Sequence, residues 1–218
     1  MSENLLQKFE LFKLFKPEEL EVLEKSLFIQ NLKSGQLLFS EGQKPEYFYL
    51  LTEGKAHILG SAYDGKEVII DTMNPGDAIG VVALLNHFAF PATCSMAEDS
   101  KVARIPEQVF KDFLSQNPLF HQNLMQMVSK RLRHSHEKMR SLSNDPVEQR
   151  LAKVVLHETG EGKKKLLLLT RQNIADMAGT TVETTIRVMK NWEKKQWVTF
   201  PGRGQIEVKN FKALKELF

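Results

Sequence analysis

The chain has 218 residues, of which 42% are hydrophobic and 26% are charged, and these values favour one large or two small globular domains. No apolar run approaches the roughly 20 residues of a membrane-spanning helix, and the N-terminus does not resemble a secretory signal, so we expect a cytoplasmic protein without a membrane partner. A single cysteine, Cys94, excludes an internal disulfide and an iron–sulfur cluster held by several thiolates.

The net charge of +3 is unevenly distributed, because residues 1–140 carry −2 and residues 141–218 carry +5. A basic C-terminal third predicts a module that binds a polyanion, and a solvated lysine-rich surface is the alternative.

Residues 4–26 predict short helices, one of which begins at Pro17. From Ile29 to Ile105 the pattern changes to short strand-like runs with glycine-containing turns, which favours an antiparallel jelly roll or barrel. The predicted strands are Gln36–Phe39, Tyr47–Thr52, Ala56–Leu59, Glu67–Met73, Ala92–Ala97 and Lys101–Ile105, with turn glycines that include Gly65.

A helical pattern returns from Glu107 to about Leu142. Within it, six residues follow the 3-4 spacing of a coiled-coil seam: Met125, Val128, Leu132, Ser135, Met139 and Leu142. This seam predicts a homodimer joined by paired helices. A lone amphipathic helix that packs on its own domain would show a similar spacing.

Asn144-Asp145-Pro146 predicts the end of this helix and a hinge, and Asp145 is expected to cap the next helix, Val147–Glu158. A loop over Gly160–Lys165 and a short strand over Leu166–Leu169 follow. Two further helices are predicted: Arg171–Ala178, capped by Thr170 and ended by Gly179, and a helix that is capped by Thr181 and reaches about Gln196. A hairpin of Trp197–Phe200 and Ile206–Lys209 has Arg203 in its basic turn.

Two helices joined by a tight turn and followed by a hairpin predict a winged helix-turn-helix. On the second helix, helical spacing places an apolar face, formed by Thr185, Val188, Met189 and Trp192, opposite a charged face, formed by Glu183, Arg187, Lys190 and Lys194. Arginine can donate two hydrogen bonds to guanine, and a carboxylate can accept one from cytosine. This face therefore predicts binding to double-stranded DNA, while a simple Glu183–Arg187 surface pair is the alternative.

These motifs resemble the Crp/Fnr family of transcription regulators over essentially the whole chain. The resemblance is carried by Thr170–Gly179 with Val182-Glu183-Thr184 and Arg187, by Lys33–Gln36, Glu41-Gly42, Tyr47–Leu50 and Glu53-Gly54, by Pro75-Gly76-Asp77 with Gly80, and by Arg131–Asp145. It implies an α+β chain with a cyclic-nucleotide-binding-like jelly roll (residues 1–106), a long dimerisation helix (107–143) and a winged helix-turn-helix (144–218). It also implies RNA polymerase as a partner.

Val182-Glu183-Thr184-Thr185-Ile186-Arg187 is similar to the Fnr type of recognition helix. By that resemblance Glu183 and Arg187 read a G·C step in a TTGAT-like inverted repeat, and Ile186 stands where the Fnr type has serine. The DNA-binding residues expected from pattern and resemblance are Arg171, Gln172, Thr181, Val182, Glu183, Thr184, Ile186, Arg187, Lys190, Lys194 and Arg203.

The resemblance to the cAMP-binding cassette fails at its polar positions. Val81 stands where the family's ribose-binding glutamate belongs, and Pro91 and Ala92 replace its phosphate-binding Arg-Ser pair. A buried phosphodiester without those partners would cost several kcal/mol, so we expect no dependence on cAMP. The effector pocket expected by position comprises Gly80, Val81, Val82, Leu84, Leu85, Pro91, Ala92, Ser135 and His136.

The effector itself is left open by the sequence. The apolar cassette suits haem, with His87 or His121 as an iron ligand in a nitric-oxide regulator, or another hydrophobic molecule. It is equally compatible with a pocket filled by its own side chains, in which case abundance alone would control the regulator. Cys94 is interpreted as an inert strand residue, with a redox switch as the alternative.

An enzyme is not expected. His57 is alone on its predicted strand, and His134 and His136 are two residues apart in a helix, so neither gives a His-x-His metal pair. We therefore predict no metal site, and the sequence contains no phosphate-binding loop or nucleophile elbow.

Overall fold

The computed structural model describes residues 5–61, 67–160, 162 and 165–218. The chain forms two compact units, Met1–Arg133 and His134–Phe218, and the helix Pro118–Asn144 contributes residues to both. No helix within these described ranges is long and apolar enough to cross a membrane. The predicted turn at Gly65 and residues 161, 163 and 164 of the predicted loop lie outside the described residues.

The first unit contains the predicted roll of antiparallel strands. Its strands are β1 (Phe28–Leu32), β2 (Leu37–Phe39), β3 (Tyr47–Glu53), β4 (Ala56–Ser61), β5 (Glu67–Met73), β6 (Ala78–Ile79), β7 (Thr93–Met96) and β8 (Ser100–Pro106). They pair antiparallel in two four-stranded sheets, with the orders β1-β8-β3-β6 and β2-β7-β4-β5. The predicted jelly roll is confirmed, although the sequence pattern does not predict β1 or β6, since β6 has two residues and β1 exposes Phe28 and Ile29.

Both faces of β3 are covered, which explains the almost uninterrupted apolar run of this strand. Phe48 and Leu50 face a core shared with the N-terminal helices, while Tyr49 and Leu51 face the interior between the sheets. Alternate residues of a strand point to opposite faces, so a strand that is covered on both sides has no polar alternation.

The helices of the first unit are α1 (Pro17–Lys25), α2 (Val81–Asn86), α3 (Glu107–Gln116) and the first part of α4 (Pro118–Asn144), preceded by two short 3-10 turns, Leu6–Lys8 and Glu10–Phe12. The helical segment expected over 107–143 is thus two helices rather than one. The break lies at Asn117, whose backbone is extended, and it precedes Pro118, which has no N–H to donate to a preceding helix. Phe120 anchors α4 by packing against the Phe12 and Phe113 rings at centroid distances of 5.2 and 5.0 Å.

The second unit has the predicted helix, helix, turn, helix and hairpin order. Its elements after α4 are α5 (Val147–Glu158), β9 (Leu166–Leu168), α6 (Arg171–Ala178), α7 (Val182–Lys194), β10 (Val198–Thr199), β11 (Gln205–Val208) and α8 (Phe211–Lys215). The strands form an antiparallel sheet in the order β10-β11-β9. The core contains Leu151, Val155, Ile174, Met189 and Trp192, all with completely buried side chains.

The expected capping of α5 by Asp145 is wrong. Pro146 occupies the N-cap position and its carbonyl accepts from the Arg150 N–H at 3.1 Å, which leaves Asp145 one residue outside the helix. The Asp145 carboxylate instead accepts hydrogen bonds from Lys153 Nζ, at 2.6 Å, and from the Ser141 hydroxyl. These two donors hold the pKa of Asp145 below its usual value.

Arg150 ties the linker after α4 to the turn between α6 and α7. Its Nε donates to the Ala178 carbonyl at 2.9 Å and its Nη2 to the Gly179 carbonyl at 3.1 Å, while Nη1 donates to the carbonyls of Leu142 and Asp145 at 3.2 and 3.1 Å. The segment expected to act as a hinge, Leu142–Asp145, therefore lies inside the second unit and is held there by one guanidinium.

We predict that Arg150→Gln lowers the free energy of unfolding of the second unit by about 1–3 kcal/mol, because several carbonyls lose a charged donor. Both tryptophans, Trp192 and Trp197, belong to this unit, so urea unfolding followed by tryptophan fluorescence reports on it. The matched control is Arg140→Gln, which removes the same charge from an exposed position of α4. Equal loss of stability in both variants would contradict the prediction.

Candidate nucleic-acid interface

Local hydrogen bonds define the two helices that flank the tight turn. The Thr170 hydroxyl accepts from the Asn173 N–H at 3.1 Å, and Asn173 Oδ1 accepts from the Thr170 N–H at 3.0 Å, which caps α6 reciprocally. Gly179 ends α6 in a left-handed conformation with φ 60°, and the Thr181 hydroxyl caps α7 by accepting from the Thr184 N–H at 3.2 Å. The predicted caps and turn are confirmed.

The two faces of α7 are as the spacing predicts. Thr185, Met189 and Trp192 are completely buried, and the Trp192 indole N–H donates to Glu148 Oε1 at 2.8 Å. The opposite face carries four charged residues that are all exposed, Glu183, Arg187, Lys190 and Lys194. The burial of one face of α7 therefore determines which charged side chains the helix exposes to solvent.

Those four charged side chains have no side-chain partner among the residues that the structure describes. Across the described ranges, none of them forms an ion pair or a hydrogen bond through its side chain. The Glu183–Arg187 surface pair, the alternative to DNA reading, is not formed. A carboxylate and a guanidinium four residues apart are thus both available to an external donor and acceptor.

The remaining residues of the predicted interface lie around this strip. Gln172 is exposed and donates to Asp176 Oδ1 at 2.7 Å, Ile186 is 37% exposed, and Arg203 is exposed in the turn between β10 and β11. Thr181, Val182 and Thr184 form the first turn of α7 and its cap.

Arg171 has a specific packing partner. Its guanidinium carbon lies 3.9 Å from the centroid of the Phe200 ring, which follows β10, and partial burial lowers its pKa. This stacking joins the start of α6 to the hairpin. Sequence reasoning did not find Phe200, since an aromatic residue beside a short strand carries no signal of its own.

The cassette of the first unit is packed rather than open. Gly80 precedes α2 with φ 73°, and a Cβ at that position would lie 2.6 Å from the Phe90 ring. Val81 and Leu84 are buried in the core shared with the N-terminal helices, whereas Leu85 is half-buried and Val82 is 46% exposed. The side chains expected to line an effector pocket are therefore divided between core and surface.

Aromatic rings fill the roll interior beside the cassette. The Phe39 and Phe90 rings stack with centroids 3.6 Å apart, and the Tyr49 ring lies 5.9 Å from Phe39. Pro91 is exposed and Ala92 is 7% exposed, and residues 79–92 contain no Arg, Lys, Ser or Thr. Except for Asn86 and His87, the side chains of this segment are apolar, and burial of a phosphodiester against apolar side chains is unfavourable.

The other residues expected to bind an effector or to sense a signal are either exposed or completely buried. His87, a proposed haem ligand, ends α2 with a side chain that is 69% exposed and lies 3.6 Å from Glu107, and His121 is exposed on α4. Ser135 and His136 are exposed residues of α4 in the second unit. Cys94 is completely buried, and burial raises the pKa of its thiol to about 12, which keeps it protonated and inert at neutral pH.

The predicted seam of α4 presents large apolar side chains to solvent. Met125, Leu132 and Met139 are 55–56% exposed, and Leu142 is 42% exposed. Val128 is half-buried and Ser135 is exposed. Such a row on one helix is typical of a surface that another polypeptide covers.

Two protein-family models match the chain. The cyclic nucleotide-binding domain matches residues 29–117, and the Crp-like helix-turn-helix domain matches residues 149–217. The chain is 26% identical over 208 residues to the cyclic AMP receptor protein of Thermus thermophilus, with 95% of both chains covered. It is 26% identical to the anaerobic regulatory protein of Pasteurella multocida, with 85% of this chain and 70% of that protein covered.

Solved structures show the same fold. A protein of Eubacterium rectale assigned to the crp/fnr family superposes with a TM-score of 0.79 at 18% identity, covering 97% of this chain and 98% of the other.

Proposed function

The chain belongs to the Crp/Fnr family of DNA-binding transcription regulators, and we propose that it acts as a homodimer that binds a TTGAT-like inverted repeat without requiring cAMP. The observation that carries the proposal is the unpaired charged strip of α7, opposite its buried face.

The strip has the chemistry of a base-reading surface. The Arg187 guanidinium offers two donors to guanine O6 and N7, and the Glu183 carboxylate accepts from cytosine N4. Ile186 offers only an apolar surface, which suits a thymine methyl group. Lys190 and Lys194 lie farther along the same face, and we assign them and Arg203 to phosphates.

The exposed seam of α4 supports the homodimer. Two copies of the row Met125, Leu132 and Met139 would cover each other as in a coiled coil. A two-fold dimer carries two copies of α7, as an inverted repeat with half-sites about one helical turn apart requires. RNA polymerase is proposed as a further partner on the resemblance alone.

The packed cassette supports independence from cAMP. The Thermus relative is named for cyclic AMP, yet residues 79–92 of this chain offer a phosphodiester no arginine, no lysine and no hydroxyl. The Phe39–Phe90 stack in the roll interior favours a second possibility within the same function, a regulator without any effector, whose activity follows its abundance.

We predict that the protein sediments at twice the mass of one chain and that Leu132→Glu sediments as a monomer, because the seam would have to bury a carboxylate. Ser129→Glu adds the same charge at an exposed α4 position outside the seam and should stay dimeric. A monomeric wild-type protein at micromolar concentration would refute the dimer.

We predict that Arg187→Ala and Lys190→Ala weaken DNA binding in different ways. Arg187→Ala should lose about 1–3 kcal/mol of preference at one G·C pair. Lys190→Ala should weaken all sequences alike and reduce the dependence of affinity on salt by about one phosphate contact. Fluorescence anisotropy on the repeat, and on DNA substituted at each position of it, measures both effects. Equal loss of specific and random binding in Arg187→Ala would contradict the role of Arg187 in base recognition.

We predict that the ligand-free protein prefers the TTGAT inverted repeat over scrambled DNA at the same salt concentration, and that added cAMP changes this affinity by less than about twofold. A ligand shifts binding only by its differential affinity for two states, and this cassette offers cAMP little affinity. Anisotropy with and without cAMP measures the effect, with calorimetric titration as the control. Saturable cAMP binding that tightens the DNA complex would refute independence from cAMP.

A further inference from the structure

Arg131 connects α4 to the strands that precede the cassette. Its Nη2 lies 2.9 Å from Asp71 Oδ2 and 2.7 Å from the Met73 sulfur, and its Nη1 donates to the Ala78 carbonyl at 3.2 Å. Asp71 and Met73 belong to β5 and Ala78 belongs to β6, so one guanidinium contacts both strands that flank a single turn.

The turn contacted in this way is itself closely hydrogen-bonded. Asp77 Oδ2 accepts from the Asn74 N–H at 2.7 Å, and the Asp77 N–H donates to the Asn74 carbonyl at 3.0 Å. The Gly76 N–H donates to the Leu51 carbonyl, and the Leu51 N–H donates to the Asp77 carbonyl. The second oxygen of Asp71 accepts from the Thr72 N–H at 2.9 Å, which orients the carboxylate toward Arg131.

Arg131 lies beyond the last fully buried apolar side chain of α4, and Met127, one turn before it, is only partly buried against the core of the roll. The start of the helix is anchored by Phe120 and Leu124, which are buried, and by Asn123 Nδ2, which donates to the Leu11 carbonyl at 3.0 Å. Arg131 follows two turns later, and next to it Leu132 is 56% exposed. Beyond the partial packing of Met127, this stretch of α4 is held on the roll by polar contacts such as the Arg131–Asp71 pair.

We propose that Arg131 is a positioning residue that takes the place of a signalling ligand: its ion pair with Asp71 holds α4 on the roll and so keeps the ligand-free protein competent for specific DNA binding. The inference rests on the proposed function and names how that function is maintained without an effector.

The charge and exposure of the pair suit this role. The planar guanidinium presents its donors as a fork, so one side chain contacts a carboxylate and a backbone carbonyl together. The Arg131 and Asp71 side chains are 39% and 40% exposed, and a partly exposed ion pair contributes little to global stability. Its removal should therefore alter the position of α4, and with it specific DNA binding, more than it alters unfolding.

The experiment compares the wild-type protein with Arg131→Gln, Asp71→Asn and the double variant, by anisotropy on the inverted repeat and on scrambled DNA without any added ligand. We expect each single variant to bind the repeat about two- to fivefold more weakly, which is the effect that the loss of a partly exposed ion pair can have on a conformational equilibrium, with scrambled DNA bound as before. The double variant should bind no more weakly than either single variant, because the three variants lack the same interaction. Arg131→Lys keeps the charge but loses the forked contacts, and should fall between.

The matched control is Arg133→Gln, which removes the same charge from an exposed position two residues away. Hydrogen exchange of residues 125–133 gives a readout independent of DNA, and it should accelerate in Arg131→Gln but not in the control. Wild-type affinity for the repeat in both single variants, or equal losses in Arg133→Gln, would overturn the inference while the proposed function stands. A wild-type protein that binds both DNAs equally would overturn the proposed function and this inference with it.

Discussion

The second unit depends on the burial of one face of α7. Thr185, Met189 and Trp192 leave no surface exposed, and the Trp192 indole N–H is satisfied by Glu148. Rotating the helix by one residue would bring charged side chains toward this core, at a cost of several kcal/mol for each unpaired charge. The outward direction of Glu183 and Arg187 thus follows from apolar packing on the other side of the helix. They need no partner of their own to be held there, and among the described residues neither forms an ion pair or a side-chain hydrogen bond.

The turn before α7 is constrained just as closely, but by backbone carbonyls. Arg150 donates to the carbonyls of Ala178 and Gly179 and, through its other nitrogen, to the end of α4. The Leu142 side chain occupies the space that a Cβ on Gly179 would need, at 2.5 Å. Gly179 is therefore required twice, for its left-handed backbone and for the approach of Leu142. The C-terminal end of α4 is therefore in contact with the turn before α7, directly through Leu142 and indirectly through Arg150.

The sequence predicted those parts of the structure that depend on interactions between residues close together in the chain. The caps at Thr170 and Thr181 and the stop at Gly179 each involve residues within four positions, and their signals are carried by the residue types themselves. Asp145 shows the limit of such signals, because Lys153 and Ser141 compete successfully for a carboxylate that would suit a cap. The sequence left a cassette filled by its own side chains as one alternative but did not identify Phe39 as one of them, since Phe39, which stacks on Phe90, comes from a strand some fifty residues earlier.

Control of the regulator depends on whether a ligand or the chain itself stabilises the state that binds DNA. A ligand that stabilises an active state acts in proportion to its concentration, whereas an intramolecular contact does not. With Phe39 and Phe90 in the roll interior and Arg131 bound to Asp71, the stabilising interactions belong to the chain itself and are present whenever it is folded. In the homodimer that we propose, occupancy of DNA would be governed by the concentration of the dimer. Association through the α4 seam would itself depend on concentration, so occupancy would rise more steeply with abundance than it would for a monomer.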